Sequence, residues 1–317
     1  MNKQKLQIFI LCRDRVEFLN DVLSSAKIQK SDLVDVEIVI SDNSVKNDVE
    51  LFCKEKFPEI KYIRRNPPTD SEQHFKVLHK ELSGDFIVFF HDDDILLPEY
   101  TSKMIDKILE NPNASAIACN GLIIRADTSV DTLVCFNVQN NIQFNTEIDF
   151  LRHYLPGTHN GCAPFPSYMY RKTSLLPDHI DTDHGGKYSD VTFLAKKIKH
   201  GPIIWLHQPL IKYRIHGNND SSAYSITDMR KLRIFMEQNY FGKINSEMIH
   251  YKYHSWYLWL FSKNIVPKSP FIIKPKTLRQ YKVIRAICNS NYLPMSKLFF
   301  WRLLIGNIFF AIEHKFF

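Results

Sequence analysis

The sequence predicts an α/β protein with a doubly wound, mainly parallel sheet flanked by helices, followed by a helical, basic, aromatic-rich C-terminal extension. Short apolar runs alternate with segments of helical periodicity up to residue 124, which implies crossover connections between parallel strands. Polar clusters follow several of these runs, at the strand ends where such sheets bind ligands. Beyond residue 225 the pattern is mostly helical, and we place the domain boundary between residues 228 and 229.

The individual elements follow from these patterns in chain order. Strands are predicted for five apolar or β-branched runs: LQIFILC, VEIVIS, IKYIR, DFIVFF and SAIACNGLII. Helices are predicted where apolar residues recur every three or four positions: VEFLNDVLSSA, ELFCKEKF, FKVLHKEL and EYTSKMIDKILE. The pattern between residues 127 and 220 is less regular.

The composition indicates a folded cytoplasmic protein. Its hydrophobic share is 44% and its charged share 24%, as in ordinary globular domains. The six cysteines are scattered without a CxxC pair, which favours reduced thiols in the cytosol over a disulfide scaffold. The apolar run at residues 6–12 is too short for a signal peptide and fits a first strand better.

The net charge of +7 is unevenly distributed along the chain. Residues 231–317 contain fourteen Lys and Arg against three Asp and Glu, so the two parts of the chain are expected to face different partners. The apolar stretch at residues 298–312 is interrupted by Arg302, Gly306 and Asn307 and is too short to span a membrane. It fits either an amphipathic helix on an anionic membrane surface, at the inner face of the plasma membrane, or a helical cap or homodimer interface.

Three consecutive carboxylates, Asp92, Asp93 and Asp94, end the apolar run DFIVFF. Like charges at neighbouring positions repel, so a cation is expected nearby. Alternation along an extended segment lets Asp92 and Asp94 point the same way, where they suit Mg²⁺ or Mn²⁺. No glycine-rich phosphate loop is present, so a metal would have to neutralise a bound phosphate. A solvated acidic turn ahead of a helix is the alternative.

Four segments in order resemble a known family. They are FILCRDRVEFLNDVLSS, VEIVISDNSVKND, LSGDFIVFFHDDDILLPEYTSKM, and KYSDVTFLAKKIKHG followed by IKYRIHGNNDSS. Over roughly residues 5–220 the chain resembles the inverting family-2 glycosyltransferases of the GT-A fold, of the bacterial surface-polysaccharide type. The resemblance implies a catalytic domain at residues 1–228, with a nucleotide-binding half at about 1–125 and an acceptor half at about 126–228.

The resemblance implies a nucleotide-sugar donor, with UDP favoured. Asp42 matches the aspartate that accepts a hydrogen bond from the uracil ring, although a turn residue that caps the next helix would look the same. Cys12, Arg13 and Asp14 occupy the first-strand turn that borders the nucleoside. Arg13 stands where the family usually has an aromatic residue, and a guanidinium can also stack on a ring.

The carboxylate triplet matches the metal-binding segment of the family. Asp92 matches the position that faces the ribose, Asp94 matches the metal ligand, and Asp93 is a candidate for both the donor and the metal. His216 is a further candidate metal ligand, or else a structural histidine. Two basic residues are candidate contacts for the diphosphate: Lys76 and Arg214.

Asp190 matches the general base that takes a proton from the acceptor hydroxyl as this oxygen attacks the anomeric carbon. A helix N-cap is the alternative role for an aspartate at this place. His159, Asn160 and Tyr168 lie in a region that commonly shapes the acceptor site. The implied reaction is a single displacement with inversion, in which a metal stabilises the leaving nucleoside diphosphate and no covalent intermediate forms.

The function implied is transfer of a sugar to a glycan or lipid-linked glycan, as in polysaccharide or lipopolysaccharide synthesis. A nucleotidyltransferase of related α/β architecture is one alternative, but it usually has a glycine-rich first turn that LCRDRVEF lacks. A non-catalytic basic scaffold or nucleic-acid-binding protein is the other. The four acidic motifs in order argue against it, and no nucleic-acid partner is expected.

Overall fold

The structure is a computed structural model that describes residues 3–125, 130–154, 162–175, 180–217, 226–240 and 242–244. The chain forms two compact units, Met1–Ala223 and Tyr224–Phe317. The division into residues 1–228 and 229–317 stays a prediction, and so do the two roles proposed for the C-terminal extension, because residues 245–317 lie outside the described part.

The first unit contains a mixed sheet of ten strands within the described residues. These strands are β1 Gln4–Cys12, β2 Val34–Asp42, β3 Lys61–Arg64, β4 Phe86–His91, β5 Ile95–Leu96, β6 Ala116–Arg125, β7 Val130–Val134, β8 Ile142–Phe144, β9 Met169–Arg171 and β10 Ile203–Ile215. Eight strands follow the order β3-β2-β1-β4-β9-β6-β10-β5, while β7 pairs with β6 and β8 with β10.

Helices connect most of these strands. They are α1 Leu19–Lys27, α2 Asp48–Lys56, α3 Ser71–Lys80, α4 Tyr100–Glu110, α5 Glu147–Tyr154, α6 Lys172–Leu175, α7 Ser189–Ile198 and, in the second unit, α8 Ile226–Tyr240. Short 3₁₀ helices lie at Phe165–Ser167 and Gly186–Tyr188. Among the described residues, no helix combines the length and apolar character that crossing a bilayer requires.

The apolar residues that recur at helical spacing in the sequence form the buried face of each helix. Leu19, Val22 and Leu23 of α1 are fully buried against the sheet, as are Tyr100 and Met104 of α4. Burial of one such aliphatic side chain stabilises the fold by about 2 kcal/mol. This packing fixes the helices on the sheet and leaves the strand ends free to carry polar residues.

The register of the parallel strands brings the predicted polar clusters to one edge of the sheet. Strand β1 runs parallel to β2 and to β4, with Cys12 opposite Asp42 and Leu11 opposite His91. The carboxyl ends of these three strands therefore lie side by side. The antiparallel strand β9 lies between β4 and β6, and the two-residue β5 pairs with β10.

Candidate active site

The loops that follow β1, β2 and β4 are joined by hydrogen bonds. The Arg13 amide donates to Asp92 Oδ2 at 2.7 Å, and the Asp14 amide donates to Ser44 Oγ at 2.7 Å. Each bond connects residues distant in sequence, so the three polar clusters form one surface rather than three separate turns. This proximity is what the parallel register predicts.

The carboxylate triplet is buried and paired with an arginine. Asp92, Asp93 and Asp94 are 0%, 4% and 0% exposed, so the alternative of a solvated acidic turn is wrong. Arg15 Nη1 lies 2.8 Å from Asp93 Oδ2, and Arg15 Nη2 contacts Asp92 Oδ1. Burial raises the pKa of Asp92 to about 7, against the lowering effects of Arg15 and the Arg13 amide. The sequence analysis missed Arg15, whose only signal is its place in the first-strand turn.

Arg214 of β10 holds the triplet from the other side. Its amide donates to Asp94 Oδ1 at 2.8 Å, and its Nε donates to the Asp93 carbonyl at 2.8 Å. Its Nη2 donates to Asp21 Oδ2 at 3.2 Å, and the guanidinium lies 4.7 Å from the Phe18 ring centroid. The side chain is 1% exposed, so these contacts support a positioning role, and the diphosphate contact of Arg214 stays a prediction.

Three side chains at the end of β4 could hold a divalent cation, and a fourth, His216, lies beside one of them. Ligand atoms of His91, Asp93 and Asp94 lie within 4.8 Å of one another, and His216 Nε2 lies 3.0 Å from Asp93 Oδ2. Asp94 Oδ2 is buried without a hydrogen-bond partner among the described residues, 3.8 Å from His91 Nδ1. An unsatisfied buried carboxylate oxygen costs free energy that a cation would recover, so this donor set fits a metal.

Burial, followed by the charge of Asp93, raises the pKa of Asp94 well above its ordinary value. A bound cation would favour the ionised carboxylate and reverse this direction. The sequence analysis did not identify His91 as a candidate ligand. Its position directly before the triplet, in the same strand-end segment, is the signal that was available.

Asp42 is fully buried and accepts hydrogen bonds from three neighbours. Its Oδ2 accepts from Arg64 Nη1 at 2.8 Å and from the Tyr62 hydroxyl, and its Oδ1 accepts from the Ser44 amide at 2.9 Å. The last bond is the turn-forming role that the sequence allowed as an alternative. Contact with a uracil ring stays a prediction, and β3 supplies two partners that the sequence analysis did not name.

The first-strand turn has a mainly structural set of contacts. The Cys12 thiol lies in the core and burial raises its pKa, so only the backbone of Cys12 is available at the strand end. Asp14 has a φ of 56°, and its Oδ1 accepts from the amides of Val45 and Lys46, both at 3.0 Å. Arg13 Nη1 donates to the Thr69 carbonyl at 2.9 Å. The nucleoside contacts of these residues stay predictions.

Lys76 lies on α3, where its Nζ donates to Glu72 Oε1 at 2.7 Å. The partner is one helical turn earlier, and the lysine side chain is 38% exposed. This arrangement is an ordinary helix-surface ion pair, which contributes little to stability on its own. A contact between Lys76 and a diphosphate stays a prediction.

Asp190 lies in the first turn of α7 and is half-buried. Its Oδ1 accepts from the Val191 amide at 2.8 Å. Burial raises its pKa to about 6, against the lowering effect of the backbone amides. A carboxylate with this pKa is largely ionised at neutral pH yet basic enough to take a proton, as general-base catalysis requires.

An aromatic residue connects α7 to the strand end that carries the triplet. The Phe165 ring centroid lies 6.1 Å from that of His91 and 6.3 Å from that of Phe193, which is on α7. Phe193 also lies 5.8 Å from Tyr170 of β9. The Phe165 ring therefore lies between the helix that carries Asp190 and the end of β4.

Of the three predicted acceptor contacts, Tyr168 lies within the described residues. Tyr168 is fully buried with its ring centroid 5.8 Å from that of Tyr170, which is the position of a packing residue. An acceptor could reach this ring only if neighbouring residues moved, and the acceptor role of Tyr168 stays a prediction. His159 and Asn160 lie outside the described residues.

Comparisons with known proteins identify the family and the fold. The model of glycosyl transferase family 2 matches residues 7–173, more than half of the chain. No curated protein matches the sequence.

Several solved structures resemble the chain. S. aureus TarS 1-349 has a TM-score of 0.57 at 14% identity, and the match covers 89% of this chain and 79% of the TarS chain. Its complex with UDP-GlcNAc has a TM-score of 0.57 at 15% identity, and the match covers 89% of this chain and 81% of the TarS chain. The mannosyltransferase PcManGT from Pyrobaculum calidifontis, in complex with GDP-Man and Mn²⁺, has a TM-score of 0.54 at 11% identity. This match covers 98% of this chain and 86% of the PcManGT chain. At these identities the likeness concerns the fold alone, and the predicted GT-A-type α/β fold is confirmed.

Proposed function

The chain belongs to glycosyl transferase family 2 and is a glycosyltransferase, and from this we propose that it transfers a sugar from a nucleotide-sugar donor by a single inverting displacement. Asp190 is the general base of this reaction. The donor binds at the ends of β1, β2 and β4, and its diphosphate lies near Asp93 and Asp94.

One observation carries the proposal. Asp190, a half-buried carboxylate with a pKa of about 6, lies on α7, and the Phe165 ring lies between Phe193 of this helix and His91, the residue that precedes the carboxylate triplet. In a single displacement the base must face the acceptor on one side of the sugar while the leaving diphosphate departs on the other. Asp190 would act as the base on the acceptor side, and the carboxylate triplet would hold the metal that stabilises the leaving diphosphate.

A UDP-sugar is the proposed donor. The structures that share the fold include TarS with UDP-GlcNAc and with UDP, and PcManGT with GDP-Man. Asp42 favours uridine, since a carboxylate accepts the ring N–H of uracil. The acceptor, a glycan or lipid-linked glycan of a bacterial surface polysaccharide, remains a prediction from the resemblance, as does membrane contact through residues 229–317.

The residues that would hold the metal are His91, Asp93 and Asp94, with His216 beside Asp93 as a further candidate. A divalent ion bound there would stabilise the charge that develops on the departing nucleoside diphosphate. Imidazole ligands favour Mn²⁺ over Mg²⁺, which prefers oxygen. Arg15 and Arg214 keep the triplet in place, and Asp190 takes the proton from the attacking acceptor hydroxyl.

Donor binding and product analysis test the proposal together. We expect the full chain to bind UDP-sugars more tightly with Mn²⁺ than without it, and to release UDP rather than pyrophosphate. In Asp94→Asn, Mn²⁺ affinity measured by calorimetry falls about tenfold or more, since the unpartnered oxygen is lost as an anionic ligand.

Asp106→Asn, on the exposed side of α4, is the matched control and retains Mn²⁺ affinity. Release of pyrophosphate would indicate a nucleotidyltransferase instead. Equal Mn²⁺ affinity in Asp94→Asn and the wild type would remove this residue from the metal site.

The pH dependence of transfer follows from the pKa of Asp190. Burial raises this pKa to about 6, and the base acts only when it is ionised. As pH falls below this value the ionised fraction decreases, so kcat/KM falls about tenfold per pH unit. Initial rates between pH 4.5 and 8, with stability checked at each pH, measure this limb. A rate that stays flat down to about pH 4.5 would mean that the base is another group.

A further inference from the structure

The segment before α7, residues 180–188, is attached at one end to α3. Glu72 Oε2 accepts hydrogen bonds from the Thr182 amide at 3.0 Å and from Thr182 Oγ1 at 2.7 Å. The two residues are 110 positions apart in sequence. Glu72 thereby joins a helix of the donor half to the segment that leads into Asp190.

The other end of the segment is attached to α7 itself. Thr192 Oγ1 donates to the His184 carbonyl at 2.7 Å, and the Gly186 amide donates to the Thr182 carbonyl at 3.0 Å. Gly185 has a φ of 114°, a backbone conformation that side chains disfavour. The segment is thus a tight turn fixed at Thr182 and at the first turns of the helix that carries Asp190.

The same helix α3 is attached to the proposed donor site. Thr69 and Asn43 exchange two hydrogen bonds of 2.8 and 2.9 Å, and Arg13 Nη1 donates to the Thr69 carbonyl. Asp70 caps α3 by accepting from the Gln73 amide at 2.8 Å. Contacts therefore run from the ends of β1 and β2, through the start of α3, to Glu72.

We propose that Glu72 is a positioning residue, which holds residues 180–188 through Thr182 and thereby fixes Asp190 against the acceptor. This inference rests on the proposed function, because it assigns the base role to Asp190. The contacts of Glu72 in the structure are with Lys76 and Thr182. Its effect reaches the reaction through the segment and the start of α7.

The chemistry of the contact suits this role. Hydrogen bonds to an ionised carboxylate are stronger than neutral ones, and Glu72 accepts two from one residue. Lys76 and Thr182 lower the pKa of Glu72 to about 2, so the carboxylate stays charged throughout the working range. Glu72 in turn raises the pKa of Lys76, and the charges of the nearby Asp181 and Asp70 add to this effect.

Hydrogen exchange and kinetics of the full chain test the proposal. In Glu72→Ala we expect amides of residues 180–190 to exchange about tenfold faster, with other peptides unchanged. The kcat/KM for the acceptor falls about 10- to 100-fold because the base is misplaced, while the Kd of the UDP-sugar changes less than about twofold. The acid limb of the pH profile moves toward lower pH, since water reaches Asp190.

Three further variants sharpen the test. Thr182→Val, which removes the hydroxyl, also speeds exchange at residues 180–190 and lowers the acceptor kcat/KM, but less than Glu72→Ala does. Thr182→Ser keeps the hydroxyl and retains wild-type exchange and kinetics. Glu110→Ala is the matched control: it removes a helix-surface partner of Lys107 at 2.9 Å and leaves exchange and kinetics unchanged.

The outcome of the exchange experiment is independent of the assignment of the base. Unchanged exchange at residues 180–190 in Glu72→Ala would overturn the positioning role, whatever the activity. Faster exchange with an unchanged acceptor kcat/KM would also overturn it, because the segment would then be irrelevant to the base. If Asp190→Asn retains full activity, the proposed function fails instead.

Discussion

We expect Asp190→Asn to lose about 10²- to 10⁴-fold in kcat while it retains its affinity for the donor. The amide has nearly the same shape as the carboxylate, so α7 keeps its geometry. It cannot take a proton from the acceptor hydroxyl, which must then attack without a base. Initial rates at saturating donor and acceptor, together with donor binding by calorimetry, measure the two effects separately.

Asp35→Asn serves as the control, because Asp35 is exposed on β2 and has no part in the proposed site. A single-displacement mechanism also predicts that the variant forms product of the same anomeric configuration, only more slowly. Wild-type kcat in Asp190→Asn would remove the assignment of the base. Loss of donor affinity along with activity would indicate a structural role at the start of α7.

We expect Arg214→Met to lower the free energy of unfolding by about 3 kcal/mol. The change removes the hydrogen bond to the Asp93 carbonyl, the pairing with Asp21 and the stacking on Phe18. It also takes a positive charge away from a buried cluster of carboxylates. Urea denaturation of the full chain, with the midpoint and slope compared between variants, measures the loss.

Arg214→Lys gives little rescue, because a lysine cannot reproduce the planar donor arrangement of the guanidinium. Lys107→Met is the matched control: the Lys107 side chain pairs with the exposed Glu110, and loss of such a surface pair changes stability by less than about 0.5 kcal/mol. If Arg214→Met lowers the free energy of unfolding by no more than the Lys107→Met control does, Arg214 does not hold the triplet.

Much of the fold could be predicted because its first half is periodic. The strands β1, β2, β4 and β6 and the helices between them have runs long enough for hydrophobic spacing to identify them. Strands β5 and β9 span only two and three residues, which is too short for any period. Their places in the sheet depend on long-range pairing, which a local pattern does not contain.

The candidate site shows a similar division. The acidic residues Asp42, Asp92, Asp93 and Asp94 could be predicted because they end apolar runs of strands, whereas Asp190, at the start of a helix, was identified through the family resemblance. The partners Arg15, Tyr62 and Arg64 could not, because their roles depend on how neighbouring loops and strands face each other. The orientation of Cys12 was predictable from alternation, since it shares the buried face of Ile8 and Ile10.

The contact between Arg214 and Asp94 bridges 120 positions of the chain. Ribosomes synthesise a chain from its N-terminus to its C-terminus. The acidic cluster therefore emerges well before β10, the strand that carries Arg214. Until β10 has been synthesised and has entered the sheet, three neighbouring carboxylates lack one of their two arginine supports. Assembly of this acidic cluster is therefore completed late in biosynthesis, and a fragment that stops at residue 173, where the family match ends, would contain the three acids and Arg15 but lack Arg214.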